Sequence, residues 1–188
     1  KEERNALVNK AYISRVDKIA ITEYLSSTLI KLITGPRRAG KSVLALQLLD
    51  GKIFAYLNFD DEMLLRHFEE DLIISVLLDV YGDFNYLLLD EIQNLPSWEL
   101  WVSKLYRRGV NLIITGSNSK LLSREIASSL TGRFVQITVL PFSFAETIRY
   151  AGLSINIDCT PVEKGKNLGL FHTYLLNGGY PEVMQNQG

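Results

Sequence analysis

Residues 29–42 read Leu29-Ile30-Lys31-Leu32-Ile33-Thr34-Gly35-Pro36-Arg37-Arg38-Ala39-Gly40-Lys41-Ser42, an apolar run that turns through glycines into a segment with helical apolar spacing. The pattern G-x-x-x-x-G-K-S between a strand and a helix is that of a phosphate-binding loop, or P-loop. Its two glycines permit the backbone conformations and the close approach that let several N–H groups converge on phosphates. The stretch therefore predicts a nucleoside triphosphate site after the first strand of an α/β fold.

Individual positions of the P-loop have separate predicted roles. Lys41 would place its charge at the β- and γ-phosphates, and Ser42 would present its hydroxyl to Mg²⁺. The helix that begins near Lys41 would direct the positive end of its dipole at the same phosphates. The predicted nucleotide-binding residues of this segment are Gly35, Pro36, Arg37, Arg38, Ala39, Gly40, Lys41, Ser42 and Val43.

A second landmark is the unbroken apolar run Tyr86-Leu87-Leu88-Leu89 that ends in Asp90-Glu91, as expected of a strand buried on both faces. Apolar strands often end in acids, so the signal depends on the complete P-loop upstream. In that context it predicts a Walker B strand. Asp90 would then hold the hydration shell of Mg²⁺, and Glu91 would polarise the attacking water.

Two further regions hold candidate catalytic residues. Ser117 and Asn118 follow the apolar run from Asn111 to Thr115, and either could hydrogen-bond the γ-phosphate or the water, because ligands of parallel sheets bind at the carboxyl ends of strands. A capped loop that opens a helix over 120–130 is an equal alternative. Arg133 precedes the last apolar run and could act as an arginine finger on the γ-phosphoryl group, with a structural ion pair as the alternative.

Composition limits the other possibilities. The chain has 188 residues, a net charge of −1, 47% hydrophobic and 22% charged residues, so nothing global indicates a nucleic-acid or membrane partner. Cys159 is the only cysteine and allows no intramolecular disulfide. No apolar run approaches 18 residues and no signal peptide is evident, so we expect a cytoplasmic protein. The boundaries suggest a fragment of a longer protein.

The order of elements predicts the fold class. Five apolar strand runs alternate with helical patterns, which favours an α/β three-layer sandwich with a parallel five-stranded sheet. The predicted domains are residues 1–150, a P-loop core with a helical N-terminal lead-in, and residues 151–188, a linker and the start of a helical C-terminal region. Single helices are expected at 62–78, 98–108 with Ser97 as a cap, 145–150 and 168–176, and a loop at 151–165.

The motifs together resemble the prokaryotic AAA+-like ATPases of the archaeal type. The segments that carry the resemblance are Gly35 to Ser42, Leu88 to Gln93, Thr115 to Asn118, Thr131 to Arg133 with Leu140 to Glu146, and Gly178 to Glu182. The resemblance implies the strand order 5-1-4-3-2, ATP with Mg²⁺, a sensor at Ser117 or Asn118 and a finger at Arg133. Members usually continue into a winged-helix segment and a C-terminal domain, often nuclease-like, through which a DNA or protein partner could act.

Two functions from different classes follow. The first is an ATPase that couples hydrolysis to a partner, possible also as a homo-oligomer that shares Arg133 between subunits. The second is a nucleotide-gated binding module with negligible turnover. A small-molecule kinase would need a lid with clustered arginines, and residues 151–165 contain none. The base specificity stays open, since the preference for ATP over GTP depends on the resemblance alone.

Overall fold

The computed structural model of the chain describes residues 1–9, 12, 15, 22–117, 130–153 and 160–185. These residues divide into two compact units. The first comprises Lys1–Gly35 and Lys41–Thr138, and the second comprises Pro36–Gly40 and Val139–Gly188. Within the described ranges, no helix combines the length and the apolar character that crossing a membrane would require.

The first unit is built on a five-stranded parallel sheet. Its strands are β1 Ile30–Gly35, β2 Phe54–Asn58, β3 Tyr86–Asp90, β4 Leu112–Ser117 and β5 Phe134–Thr138. Their order is β2-β3-β4-β1-β5, and every neighbouring pair is parallel. All six residues of β1 are buried, as expected of an interior strand covered on both faces. The predicted fold class and the predicted strand order are therefore confirmed.

Helices α1 to α5 belong to the same unit. Their bounds are α1 Glu2–Val8, α2 Lys41–Leu48, α3 Glu62–Arg66, α4 Glu70–Tyr81 and α5 Trp98–Arg107, with short 3₁₀ turns at Glu23–Ser26 and Ile92–Asn94. The expected continuous helix over 62–78 is wrong. Asp61 caps α3 by accepting a hydrogen bond from the Met63 N–H at 2.8 Å, and α4 begins only after an extended Glu69.

Helix α5 begins at Trp98 as predicted, but Ser97 does not cap it. Ser97 has a left-handed backbone with φ of 53°, and its side chain makes no capping hydrogen bond. The helix is fixed instead by its apolar face. Trp101 meets Phe59 and Phe68 edge-to-face, with ring centroids 6.2 and 5.0 Å apart, within the core that α5 and the sheet share.

The described residues of the second unit form three helices, α6 Phe144–Tyr150, α7 Pro161–Asn177 and α8 Pro181–Gln185. The expectation that 151–165 is entirely loop is wrong from Pro161 onward. Thr160 and Glu163 form a reciprocal capping box and Pro161 occupies the first turn, so the helix starts there in spite of Gly165. The capping-box pattern was visible in the sequence, but the glycine and proline residues of this segment favoured the prediction of a loop.

Two of the segments that carry the resemblance, Leu140 to Glu146 and Gly178 to Glu182, are hydrogen-bonded to each other in this unit. The Phe142 N–H donates to the Gly179 carbonyl at 2.7 Å, and the Tyr174 hydroxyl donates to the Phe142 carbonyl at 3.0 Å. A Cβ atom on Gly179 would lie 2.0 Å from the Phe142 carbonyl oxygen. Position 179 therefore requires glycine, because any side chain would force the two backbones apart.

Candidate nucleotide-binding site

Asp90, the last residue of β3, is held by three hydroxyl groups. Its Oδ1 accepts a hydrogen bond from Ser42 Oγ at 2.8 Å and another from Thr115 Oγ1. Its Oδ2 accepts one from the Tyr56 hydroxyl at 3.2 Å. These donors come from α2, β4 and β2, so the carboxylate is positioned by the parts of the fold that meet at the carboxyl ends of the strands.

The environment of Asp90 is costly for a lone negative charge. Burial raises the pKa of this carboxyl above its ordinary value, and the hydrogen bonds from Thr115 and Ser42 lower it only in part. Burial also raises the pKa of Tyr56, helped by the nearby charges of Asp90 and Glu3, so Tyr56 remains a neutral donor. A cation beside Asp90 would offset the cost of its burial.

The oxygen donors at this point fit a magnesium ion. One carboxylate and one hydroxyl, Asp90 and Ser42, lie together, and Mg²⁺ usually takes one or two protein oxygens and completes its coordination with water and phosphate oxygens. Within the part of the chain that is described, no group of three or more His, Cys, Asp or Glu side chains could hold a metal by itself. The donor set therefore suits a metal that arrives with a phosphate ligand.

Lys41 and Glu91 form the second part of the site. Lys41 is only 3% exposed, and its Nζ lies 3.5 Å from Glu91 Oε1. The other carboxylate oxygen, Oε2, accepts a hydrogen bond from Gln93 Nε2 at 2.5 Å. The backbone of Glu91 is left-handed with φ of 50°, and its N–H donates to Thr115 Oγ1 at 3.1 Å. Both oxygens of the predicted base are thus engaged.

The P-loop has the backbone conformations that its glycines predict. Gly35 and Gly40 have φ values of 149° and 93°, and Arg38 is a non-glycine residue with φ of 65°. Arg37 and Arg38 are exposed, whereas Ala39 is fully buried. In the second unit, the Ala39 N–H donates to the Pro36 carbonyl at 3.2 Å, and Arg38 pairs with Glu182 of α8 at 3.1 Å. Arg38 thus has an acidic partner on its exposed side.

The predicted residues beyond the P-loop are placed differently from one another. Ser117 ends β4 and pairs in register with Gly35, which brings it beside the start of the P-loop. Val43 is half-buried on the first turn of α2. Asn118 and the expected helix over 120–130 lie outside the described residues.

Arg133 lies at the amino end of the sheet. Its carbonyl accepts from the Ile30 N–H, and its guanidinium donates to Ser103 Oγ at 3.1 Å and lies over the Tyr106 ring. The strand between Ile30 and the P-loop is about 20 Å long at the usual rise per residue. Within its own chain, the structure does not bring Arg133 to the Lys41 and Asp90 site.

Three residues of the site were missed from sequence. Thr115 bonds both Asp90 and the Glu91 backbone, Tyr56 bonds Asp90, and Gln93 bonds Glu91. A polar residue inside a strand that is otherwise buried was a usable signal for Thr115, since buried polar groups need partners. Nothing local distinguished Tyr56, because aromatic residues are common in strands.

Comparisons with known proteins show the family of this chain. A family model described as AAA domain matches residues 27–148. An uncharacterized protein of Methanocaldococcus jannaschii is 35% identical over 159 residues, 82% of this chain and 36% of its own length. An uncharacterized protein of Haemophilus influenzae is 31% identical over 190 residues, 94% of this chain and 46% of its own length. The chain thus spans less than half the length of these curated relatives.

A solved structure agrees at the level of the fold. The Walker-type ATPase of Pyrococcus abyssi aligns with a TM-score of 0.55 over 95% of this chain and 69% of its own, at 16% sequence identity. At this identity the likeness shows the fold alone. Together with the family match, it confirms the resemblance on which the sequence interpretation was based.

Proposed function

The chain belongs to the AAA-domain family of P-loop ATPases, and from this premise we propose that it binds ATP with Mg²⁺ and hydrolyses the γ-phosphate bond. One observation carries the proposal. Two contacts join the start of α2 to the end of β3, Ser42 with Asp90 at 2.8 Å and Lys41 with Glu91 at 3.5 Å. A cation, a metal-directed hydroxyl, a metal-directed carboxylate and a base are what phosphoryl transfer to water uses.

The arrangement suggests how each residue acts. Lys41 exchanges its contact with Glu91 for the β- and γ-phosphates, because two phosphate charges attract the ammonium group more strongly than one carboxylate. That exchange releases Glu91 Oε1 to orient and deprotonate a water molecule. Asp90 and Ser42 would hold Mg²⁺, which would neutralise charge on the phosphate oxygens. Thr115 keeps Asp90 and the Glu91 backbone in fixed relative positions through its single hydroxyl.

A second candidate is the nucleotide-gated module with negligible turnover. It is favoured by the double engagement of Glu91, whose oxygens contact Lys41 and Gln93. A carboxylate that keeps the Gln93 hydrogen bond after nucleotide binding has fewer lone pairs with which to accept a hydrogen bond from water. In this case ATP occupancy, and not hydrolysis, would change the protein.

The partner and the assembly are also proposals. Because the curated relatives are more than twice as long as the part this chain matches, coupling of the ATPase to a DNA or protein partner would involve regions outside this sequence. A homo-oligomer would give Arg133 a route to phosphate, in the site of a neighbouring copy. A cytoplasmic location also stays a prediction.

The deciding experiment measures binding and turnover separately. Affinity for ATP and GTP is measured with Mg²⁺ and with EDTA, and phosphate release is measured with and without DNA, for the parent and for Glu91→Gln. We expect ATP binding in both proteins and turnover in the parent alone, reduced about 100-fold or more in the variant. Glu62→Gln, an exposed change on α3, is the matched control and should retain turnover.

The outcomes separate the candidates. Magnesium-dependent ATP binding without turnover in the parent, with or without DNA, would favour the switch module. Parent-level turnover in Glu91→Gln would show that another group acts as the base. Absence of nucleotide binding by the folded parent would overturn both candidates.

A further inference from the structure

The N-terminal helix α1 is attached to one face of β2, the strand at the edge of the described sheet. Alternate residues of a strand point to the same face, and α1 meets three of them in succession. Arg4 donates to the Phe54 carbonyl at 2.7 Å and lies over the Phe54 ring, and Asn58 Nδ2 donates to Glu3 Oε1 at 2.8 Å. Between these two contacts lies Tyr56. The helix buries no residue of its own. Beside these contacts with β2, Lys1 Nζ donates to the Val80 carbonyl at 2.7 Å and Arg4 lies over the Tyr81 ring.

The Tyr56 hydroxyl lies between two carboxylates. It is 3.2 Å from Asp90 Oδ2 and 3.5 Å from Glu3 Oε1. A tyrosine hydroxyl has one hydrogen, so it can donate to only one of the two acceptors at a time. The shorter distance assigns that hydrogen to Asp90 in this structure. Glu3 meanwhile keeps the amide of Asn58 as a donor.

We propose that Tyr56 is a positioning residue for the metal-binding carboxylate Asp90, and that with Glu3 it couples helix α1 to the binding of the metal–nucleotide complex. The inference rests on the proposed function of the site. It assigns a role to a tyrosine and to a glutamate that lie outside the P-loop and the Walker B motif. The juxtaposition that carries it is one hydroxyl shared by the site and the helix.

The coupling follows from competition for the shared hydrogen. A carboxylate that shares its charge with a cation is a weaker acceptor, so the Tyr56 hydroxyl turns from Asp90 towards Glu3 when the site is filled. Glu3 then accepts from both Tyr56 and Asn58, and α1 is held more firmly on β2. By linkage, packing of α1 on β2 must strengthen metal–nucleotide binding by the same factor by which the metal–nucleotide complex strengthens that packing.

The first arm of the test measures the positioning role by equilibrium binding. Affinity of a fluorescent ATP analogue is measured across a magnesium titration and again in EDTA, for the parent and for Tyr56→Phe. We expect the variant to need about three- to tenfold less Mg²⁺ for half-maximal binding, because the hydrogen bond that stabilises Asp90 in the empty site, and that the metal must displace, is lost. Affinity in EDTA should be unchanged. Tyr81→Phe is the control, since the Tyr81 hydroxyl donates to the Tyr56 backbone and not to Asp90.

The second arm measures the coupling to α1. Amide hydrogen exchange of residues 2–8 is followed with and without the magnesium–ATP complex. In the parent, binding should slow exchange in α1. In Glu3→Gln that slowing should disappear, because a neutral amide oxygen competes poorly for the tyrosine hydrogen. Glu2→Gln removes the same charge from the same exposed helix and should behave like the parent.

The outcomes distinguish this inference from the function beneath it. If the parent shows no magnesium-dependent binding, the proposed function fails. If the parent binds normally and folded Tyr56→Phe has the parental magnesium requirement, the positioning role is overturned. If α1 exchange in the parent is the same with and without the complex, or if Glu3→Gln keeps the slowing, the coupling is overturned. Should Tyr56→Phe not fold, Glu3→Gln decides the proposal by itself, because Glu3 is exposed.

Discussion

Two buried lysines lie at opposite ends of the first strand and have opposite surroundings. Lys41, just after the P-loop, is 3% exposed and faces the Glu91 carboxylate. Lys31, near the amino end of β1, is fully buried and donates to two neutral oxygens, the Ser27 carbonyl and Asn111 Oδ1 at 2.7 Å. The contact of Lys41 with Glu91 is one that a phosphate group could replace. Lys31 instead donates to neutral acceptors.

This difference separates a binding group from a structural one. Burial lowers the pKa of Lys31 to about 8, and the two oxygens to which it donates are neutral. Lysine in a strand is by itself no sign of function, and the hydrogen bonds described for Lys31 are made to neutral oxygens. The carboxyl end concentrates Lys41, Ser42, Asp90 and Glu91. The proposed chemistry therefore involves the carboxyl end of the sheet.

The largest effect on nucleotide affinity is expected when each of the two lysines is substituted separately. Lys41→Ala should weaken magnesium–ATP binding by about 100-fold or more, since it removes a charge-assisted contact to phosphate. Lys31→Met, the matched control, should leave affinity within about twofold. Equilibrium binding of a fluorescent ATP analogue to both folded variants measures this. Equal losses in the two variants would mean that Lys41 acts through the fold, and the comparison would break.

The next effect concerns stability against pH and sharpens the same comparison. The folded-state pKa of Lys31, about 8, lies below its ordinary value of 10.5, so the unfolded chain binds more protons between these values. Stability should therefore rise with pH across that window. The contribution is at most about 1.4 kcal/mol per pH unit and on the order of 3 kcal/mol in total.

Urea denaturation at pH 7.5 to 10.5 tests this for the parent and for Lys31→Met. Other groups titrate in the same range, so the quantity of interest is the difference between the two proteins. It should grow in favour of the parent as the pH rises. A difference that stays constant would show that Lys31 titrates normally in the folded state.

Arg133 is the third test, because the structure places it at the amino end with Lys31. Arg133→Ala should lower the unfolding free energy by about 1 kcal/mol through its lost contacts with Ser103 and Tyr106. Nucleotide affinity should stay within about threefold. Lys104→Ala, on the exposed side of α5, is a control for loss of positive charge.

Turnover in mixtures then tests the arginine finger. If Arg133→Ala loses turnover and mixing with Glu91→Gln restores part of it, the guanidinium acts in the site of a neighbouring copy. If mixing does not restore the lost turnover and the unfolding free energy is unchanged, Arg133 acts in the site of its own chain. That result would contradict its position at the amino end of the sheet. Full turnover in the variant would leave Arg133 a structural residue.

The fold could be predicted from sequence because its signals are local. Apolar runs of strand length separated by helical spacing identified all five strands, and the resemblance supplied their order. The expected helix over 62–78 is two helices. Asp61 is a strong sequence signal for the start of the first helix, but no equally strong signal marks its end at His67. The start of α7 at Pro161 was missed because the glycine and proline residues nearby were given more weight than the capping box.

The site was predictable only where residues follow one another in the chain. Lys41 and Ser42 form one motif, and Asp90 and Glu91 form another. Tyr56 and Thr115 reach Asp90 across the sheet, from strands separated from it by 34 and 25 positions. Such contacts depend on strand order and register, and neither can be read from the periodicity of a single segment.

The smallest effect on turnover is expected from substitution of Gln93. It tests whether the hydrogen bond from Gln93 restrains Glu91, the proposed base. Gln93 Nε2 contacts Glu91 Oε2 at 2.5 Å, while Lys41 contacts the other oxygen. When Lys41 turns to phosphate, the amide of Gln93 still occupies Oε2 of Glu91, which leaves fewer lone pairs to accept a hydrogen bond from the attacking water. Gln93→Ala should therefore raise turnover by about two- to fivefold, with ATP affinity unchanged.

The matched control for Gln93 is its neighbour. Asn94→Ala removes an amide that bonds the Phe59 carbonyl and Asp60, and not Glu91. It should leave turnover at the parental level in a steady-state assay of phosphate release. A fall in turnover for Gln93→Ala alone would give Gln93 the opposite role, that of orienting Glu91 towards water. In that case the double engagement of Glu91 would be part of the active arrangement, and the argument for a switch module would lose its support.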